Sequence, residues 1–500
     1  MNFVLVVFDN FIPLNYSRNR MKKKVIIIVS IVVGVLLIAG GIFTYLNFRP
    51  PTQEEVTKYE QLLSEGDLLV EGREYSEAIS KYNQAAKVIH SDGRAYSKIV
   101  DIYLQKNDFD TAESVAQKAQ DRTSASDVSL IYAQIADAYF DIEDYYNARM
   151  NYEIAQSLSS NPEINLGLAK AYVYDNQFKQ AKQLLDKNYE STNADEAKLL
   201  YSYILGTEDP IKAQGEIENY TPNNEDMSSY FEEYLSVLES LTDDELFNIT
   251  KLGRIYVNNG YPTLAIRLLE PNTEEISQYV DALYYLGKSY LDTKQYDKAV
   301  DTLLKSASLI GYESDKYWML ARAYYRKDDL VNATKYYDMA VGYADTDVTR
   351  ELVEEYLNIL LDSNQNNKAQ EVYSNIVTKI DSEWLYIIGL DLYYNAQSDA
   401  KFDFYLNKLS QMEMNDSEKK EYLFWKIRKS VDDGETDTIQ GDLETLLTLD
   451  RVNPKYYWVK GLYELSLSDT NAATESLEIA LEYDLDGEVT QEVQDLLAQL

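Results

Sequence analysis

Three alanines, Ala265, Ala299 and Ala333, stand 34 residues apart twice in succession, and each follows a small residue (Gly253, Gly287 or Ala321) by twelve positions. A spacing kept in register over three blocks restricts the chain to a repeat architecture, in which each block is one supersecondary unit. The block from Val280 carries Tyr284, Leu286-Gly287, Tyr290, Tyr296, Ala299 and Leu303. The block from Ser314 carries Trp318, Leu320-Ala321, Tyr324, Leu330, Ala333, Tyr337 and Ala340, and the block from Leu246 has Leu252-Gly253, Tyr256, Tyr261, Ala265 and Leu269. Within a block the small residue and the aromatic three later share one face of a first helix. The alanine and a large apolar residue four later share one face of a second. The small residue sits where two helix backbones approach closely, and breakers such as Asn259-Gly260 and Asp328-Asp329 mark the turn between them. Neither helix hides its apolar stripe alone, so each pair must stack on the next.

The same pattern extends toward both ends. Four earlier repeats centre on Gly66/Ala78/Tyr82, Tyr103/Ala112/Ala116, Ala136/Ala148/Tyr152 and Ala169/Tyr172/Ala181. The register lapses between Ala181 and Ala265, where helices are expected at Asp195–Leu205, Pro210–Tyr220 and Met227–Leu241. Thr221–Asp226 reads as a linker. A weaker repeat with Tyr356, Ala369 and Tyr373 follows, then two degenerate ones around Trp384–Leu409 and Glu421–Leu447. The last repeat has Tyr457, Gly461, Ala473 and Leu477. Glu488–Leu500 reads as a helix that covers the exposed end of the stack. Only 19 glycines and 9 prolines in 500 residues suit a nearly all-helical chain.

The 34-residue period, with its order of Leu-Gly, Tyr, Ala and Phe/Tyr, resembles the tetratricopeptide repeat family. The resemblance implies an all-α solenoid, a superhelix of antiparallel helix pairs. The expected organisation is a cytoplasmic segment at 1–24, a transmembrane helix at 25–47, a linker at 48–58, an N-terminal array at 59–220, a C-terminal array at 221–487 and a capping helix at 488–500.

The membrane expectation rests on Val25–Leu46, an uncharged apolar run. As a helix it would be roughly 33 Å long, enough to cross a bilayer core. Lys22, Lys23 and Lys24 precede it directly, so the basic side stays in the cytoplasm and the repeats lie outside. The run is longer than the core of a cleaved signal, and Thr44–Pro51 offers no small-residue cleavage site, which favours an uncleaved anchor. The run from Met21 reads like an ordinary start, leaving Met1–Arg20 as an upstream extension without a structural part. The whole resembles a membrane-anchored bacterial member of the family.

Formal net charge is −37, although the first 50 residues hold six basic side chains against one acidic. With +5 in that stretch, the other 450 residues carry −42, and such a surface repels nucleic acid. No cysteine is present, which excludes disulfides, thiolate zinc sites and thiol catalysis; the one histidine, His90, falls in a repeat connector. No phosphate loop, HExxH, nucleophile elbow or EF-hand spacing occurs, so neither an enzyme nor a cofactor is expected. The pairs Asp243-Asp244 and Asp328-Asp329 fall in turns, where carboxylates cap helices.

The resemblance also implies which residues line the concave face, among them the position after the Gly or Ala of each first helix. Those residues are Asp67, Asp101 and Asp137, then Lys170, Arg254, Lys288 and Arg322, with one change of sign. Tyr284, Trp318, Tyr325 and Arg326 are expected beside them. Proteins of this family usually bind proteins or peptides, so the expected function is a membrane-anchored extracytoplasmic scaffold holding a polypeptide partner in envelope assembly or secretion. Its three cations would form a ladder against an acidic part of that partner. The alternatives are carbohydrate handling or hydrolysis by groove carboxylates, and a chaperone-like hold on exported chains. The family's basic clamp for C-terminal carboxylates, a Lys/Asn combination, is absent.

Overall fold

The computed structural model describes residues 50–188, 194–436, 439–484 and 487–500. The apolar run Val25–Leu46 lies outside the described residues, and none of the described helices is long and apolar enough to cross a membrane.

Antiparallel pairs follow one another along the chain. Helix α1 (Gln53–Glu71) pairs with α2 (Tyr75–Val88), α3 (Arg94–Gln105) with α4 (Phe109–Gln120), α5 (Ala125–Asp141) with α6 (Tyr145–Leu158), and α7 (Pro162–Tyr174) with α8 (Phe178–Asn188). Next come α9 (Ala194–Gly206) with α10 (Pro210–Ile217), the single helix α11 (Glu225–Glu239), and α12 (Glu245–Asn258) with α13 (Pro262–Leu269). Two short 3-10 turns, Glu270–Asn272 and Glu275–Gln278, lead to α14 (Val280–Asp292) with α15 (Tyr296–Ala307) and α16 (Glu313–Tyr325) with α17 (Leu330–Ala344). The series continues with α18 (Arg350–Asp362) and α19 (Asn366–Val377), α20 (Glu383–Asn395) and α21 (Asp399–Leu409), and α22 (Asp416–Asp432) and α23 (Gln440–Leu449). It closes with α24 (Pro454–Ser466) and α25 (Thr470–Tyr483), capped by α26 (Thr490–Leu497). The described residues are therefore an all-α solenoid of tetratricopeptide-like pairs.

Local chemistry sets these boundaries. Proline opens α7, α10, α13 and α24, where its missing N–H has no helical partner in any case. Asp244 and Asp329 cap α12 and α17 by accepting from the backbone N–H of Phe247 and Asn332, both at 3.1 Å. The turn inside a pair is closed by a residue with left-handed backbone. From Arg73, Asn107, Glu143 and Asn176 it recurs at Gly260, Lys294, Asp328, Asn364, Gln397, Gly434 and Ser468. Within each of these two series the steps are 33 to 37 residues, so a small drift hides the later repeats from a search at a fixed period of 34.

The alanines that define the period are fully buried, as Ala265, Ala299 and Ala333 show. A Cβ on Gly287 would stand 2.5 Å from Leu303 Cγ, and one on Gly253 would stand 2.8 Å from Leu269 Cδ1. This close approach is the reason for a small residue in the first helix. One apolar core runs from Tyr59 to Ala171 and a second from Leu166 to Leu409, overlapping in α7, with smaller clusters toward the C-terminal end. Residues 221–226, read above as the boundary between two arrays, have this second core on both sides: Tyr203 and Ile217 precede them, Phe231 and Tyr234 follow. Asp195 pins the segment, accepting from the Tyr220 hydroxyl at 2.6 Å and from the N–H of Asn223 and Asn224 at 2.9 and 2.8 Å. Helix α11 has no antiparallel partner in sequence, which accounts for the lapse in register there.

The superhelix touches itself. The Arg73 guanidinium lies 5.1 Å from the Tyr483 ring centre and donates to the Tyr483 carbonyl, so the first pair meets the last. Glu143 and Lys294 form an ion pair at 2.9 Å between two further turns.

Candidate binding groove

First helices of successive pairs pack side by side, and the residues expected on the concave face lie on them or in the turn that follows. At its N-terminal end, second-helix tyrosines reach across to the acidic residues expected there. Tyr82 donates to Asp67 Oδ1 at 2.7 Å, and Tyr152 donates to Asp137. A buried tyrosine needs a partner for its hydroxyl, so both acids serve as internal acceptors. In the intervening repeat Ala116 replaces that tyrosine, and Asp101 takes the Gln105 amide instead at 2.9 Å. Burial would raise the Asp67 carboxyl, but the Lys98 ammonium at 2.6 Å and the Tyr82 hydroxyl hold it below its ordinary value. Asp137 faces solvent along the groove while protein surrounds it on its other sides. That loss of water raises its carboxyl despite the Tyr152 hydroxyl, with Asp141 adding in the same direction.

The basic residues divide into committed and uncommitted ones. Lys170 pairs with Glu196. Arg322 Nε sits 2.8 Å from Glu355 Oε2 and its other arm pairs with Glu351, so its charge is neutralised within the groove. Arg254 is exposed and makes no ion pair among the described residues; the same holds for Lys288, which is half-buried beside Asp292. Arg326 is exposed in the turn after α16, and Tyr325 is half-buried at the end of that helix. The expected three-cation ladder is therefore reduced to Arg254 and Lys288. Arg322 leaves it because the next repeat supplies two glutamates in reach.

The aromatic expectations also need correction. Tyr284 is only 8 % exposed and stacks on Tyr312 with ring centres 4.9 Å apart, so it packs inside the solenoid rather than offering a contact surface. Trp318 donates its indole N–H to Glu355 Oε2 at 2.9 Å and carries the Arg322 guanidinium 4.4 Å above its ring. It is half-buried in the same cross-repeat bridge.

The fold also builds something the sequence reading missed. A cavity of about 430 Å³ opens where the first helices α18, α20, α22 and α24 converge. Asn358 and Asp391 line it at the positions that correspond to Arg254, Lys288 and Arg322 in the earlier repeats. They went unnoticed because Leu357 and Leu390, both buried, replace the small residue that marked the position elsewhere. Counting back eleven residues from Ala369, the separation of Lys288 from Ala299, would have found Asn358. Leu361, Ile388 and Trp425 give the cavity apolar wall, and Glu354, Glu421 and Glu488 give it carboxylates. Arg350 holds Glu354 at 2.7 Å and Glu421 at 3.1 Å, and Lys455 holds Glu488. Asp391 has no cation paired with it among the described residues and accepts only from Asn395, at 3.0 Å. Burial raises its carboxyl above the ordinary value, against the Asn395 hydrogen bond and the charge of Lys455. Among the described residues no group of three or more His, Asp or Glu side chains is placed to hold a metal ion.

Comparison with known proteins agrees with this geometry. Residues 63–127 and 280–311 each match a tetratricopeptide repeat family model. No curated protein matches the sequence. Among solved structures, the APC/C hetero-tetramer Cut9–Hcn1 is 12 % identical, with 91 % of this chain and 97 % of that chain covered at a TM-score of 0.34. The Naa15/Naa10 complex bound to HypK-THB is 12 % identical over 89 % of this chain and 96 % of that chain, at 0.34. Pseudomonas aeruginosa pilF is 14 % identical over 50 % and 90 %, at 0.27. Scores this low carry no argument about function. The family models, by contrast, match the stretches whose helix pairs and buried small residues have been described, and the same pair recurs along the described chain. Residues 63–127 and 280–311 are thus tetratricopeptide repeats within an all-α solenoid of like pairs, an architecture that supports a protein-interaction scaffold.

Proposed function

We propose that this chain is a membrane-anchored scaffold, its repeats outside the cytoplasm, whose concave groove holds a segment of a protein partner in envelope assembly or secretion. The observation that carries the reading is the groove itself. Successive first helices present Arg254 and Lys288 with no ion-pair partner among the described residues, in a chain whose repeats are otherwise strongly acidic. Two uncommitted cations in such a surround draw an acidic stretch of polypeptide locally, despite long-range repulsion. Val25–Leu46 and the three lysines before it support the anchor and its orientation.

The groove carboxylates favour binding over hydrolysis. Hydrolysis by paired acids needs two carboxyl groups free to act as acid and base. In the cavity Glu354, Glu421 and Glu488 are each tied to a cation, so Asp391 is the one of the four carboxylates with no ion-pair partner among the described residues.

In-cell crosslinking of the full chain tests the scaffold reading. Arg254→Glu with Lys288→Glu should strongly reduce the captured partner while thermal melting stays near wild type. Capture unchanged by the double reversal refutes it. Protease added to intact spheroplasts should remove the bulk of the chain, and full protection there would reverse the orientation.

A further inference from the structure

The row of equivalent groove positions runs Arg254, Lys288, Arg322, Asn358, Asp391. In terms of charge available to a ligand, it passes from two uncommitted cations through a neutralised arginine and an amide to an uncommitted carboxylate. The cavity lies at the carboxylate end. Its volume of about 430 Å³ falls within the range of small-ligand pockets, about 300–1,000 Å³. Four carboxylates face it or rim it, and only Arg350 and Lys455 answer them.

Its walls are of two kinds. Leu361, Ile388 and Trp425 supply apolar surface, and Asp391 supplies a carboxylate with no cation paired to it among the described residues. A long aliphatic stem ending in a cation matches both, since such side chains lay their methylenes on apolar surface and keep the charged head where it can be bound. A short acidic or purely apolar group would bring Asp391 no paired counter-charge in a place already poor in water.

Resting on the scaffold reading, we propose that this cavity takes a single arginine or lysine side chain of the partner polypeptide, its charge against Asp391 and its stem against Trp425 and Ile388. The occupant comes from a polypeptide because the cavity continues the row of groove positions rather than standing apart from it. The partner segment is thus dipolar: acidic residues lie along Arg254 and Lys288, and a basic residue enters at Asp391. Arg350, held by Glu354 on its own helix α18, bridges to α22 through Glu421. That bridge fixes the cavity walls before the ligand arrives, so less ordering is needed on binding.

The test uses the full chain in detergent micelles and a fluorescein-labelled peptide of about eight residues, with one arginine among leucine and serine and no other charge. A second peptide carries citrulline, the neutral isostere, in place of arginine. Anisotropy should show the arginine peptide binding about tenfold more tightly, the scale of one charge-assisted hydrogen bond. That preference should vanish in Asp391→Asn and weaken with salt. Asn358→Lys is the second variant: Asn358 is exposed, so the substitution spares the core and puts a competing ammonium in the cavity. It should abolish the preference as well. Arg254→Glu with Lys288→Glu should leave the preference intact. Equal binding of the two peptides, binding of neither, or a preference that survives Asp391→Asn overturns the proposal. If that happens while partner capture still depends on Arg254 and Lys288, the cavity assignment falls and the scaffold reading stands.

Discussion

Arg322 and Glu355 join two successive repeats across the groove, with Nε 2.8 Å from Oε2, and Trp318 and Tyr337 donate to the same carboxylate at 2.9 and 2.7 Å. One glutamate thus gathers a guanidinium, an indole and a phenol from the preceding pair. The bridge makes Arg322 part of the stack, whereas Arg254 and Lys288 remain on the surface. Arg322→Glu should cost about 2 kcal/mol of stability, because it leaves Glu355 facing a like charge with one of its three donors gone. Arg254→Glu and Lys288→Glu should each stay within about 0.5 kcal/mol of wild type. Chemical denaturation of the three variants checks this, and equal midpoints for all three would mean that the bridge does not hold the repeats together.

Asp195 governs the passage between α9 and α11. Burial would raise its carboxyl, but the Tyr220 hydroxyl and the N–H groups of Asn224 and Asn223 hold it below its ordinary value. A carboxyl with a depressed folded-state pKa stabilises fully above its unfolded value of about 4, and the gain is lost as pH falls through the lower folded value. Asp195→Ala should therefore cost about 2 kcal/mol at pH 7, by stranding three donors. The gap between variant and wild type should close below pH ~4. Denaturant titrations at neutral and acid pH read the difference. A gap that widens on acidification would contradict the assignment.

Two glycines separate space from backbone. Gly342 lies inside α17, and a methyl group placed on its Cα would have nothing within 4 Å, whereas a methyl on Gly287 would stand 2.5 Å from Leu303 Cγ in a fully buried site. Gly342→Ala should stabilise by about 0.5–1 kcal/mol through helix propensity alone. Gly287→Ala should destabilise by about 1–3 kcal/mol, because the core is already filled. Melting temperatures moving in the same direction would show that close approach is not why the first helix needs a small residue.

Arg73 joins the first pair to the last through the ring and the carbonyl of Tyr483. A guanidinium over a tyrosine ring at a partly exposed site is worth about 0.5–1 kcal/mol. Arg73→Ala should thus leave melting nearly unchanged while the first and last pairs separate. Small-angle scattering should record a larger radius of gyration, and an unchanged radius would show that other contacts hold the ends together.

The repeat was legible from residue order alone. Small residues at a 34-residue spacing, tyrosines three later and alanines twelve later leave stacked helix pairs as the arrangement that buries every apolar stripe, and Ala265, Ala299 and Ala333 are indeed fully enclosed. Asp244 and Asp329 were legible as caps in the same way, because capping is settled within three residues. Which charges face a ligand was not legible. Arg254, Lys288 and Arg322 look alike along the chain, but the partners that neutralise Arg322 come from the next repeat, 29 and 33 residues on. The cavity around Asp391 was equally out of reach, since four helices spread over more than a hundred residues form its walls and buried leucines had erased the local mark of its position. Periodicity is a property of neighbours along the chain. Commitment of a charge depends on which side chains the superhelical twist brings within a few ångströms, and that is set only when the pairs have stacked.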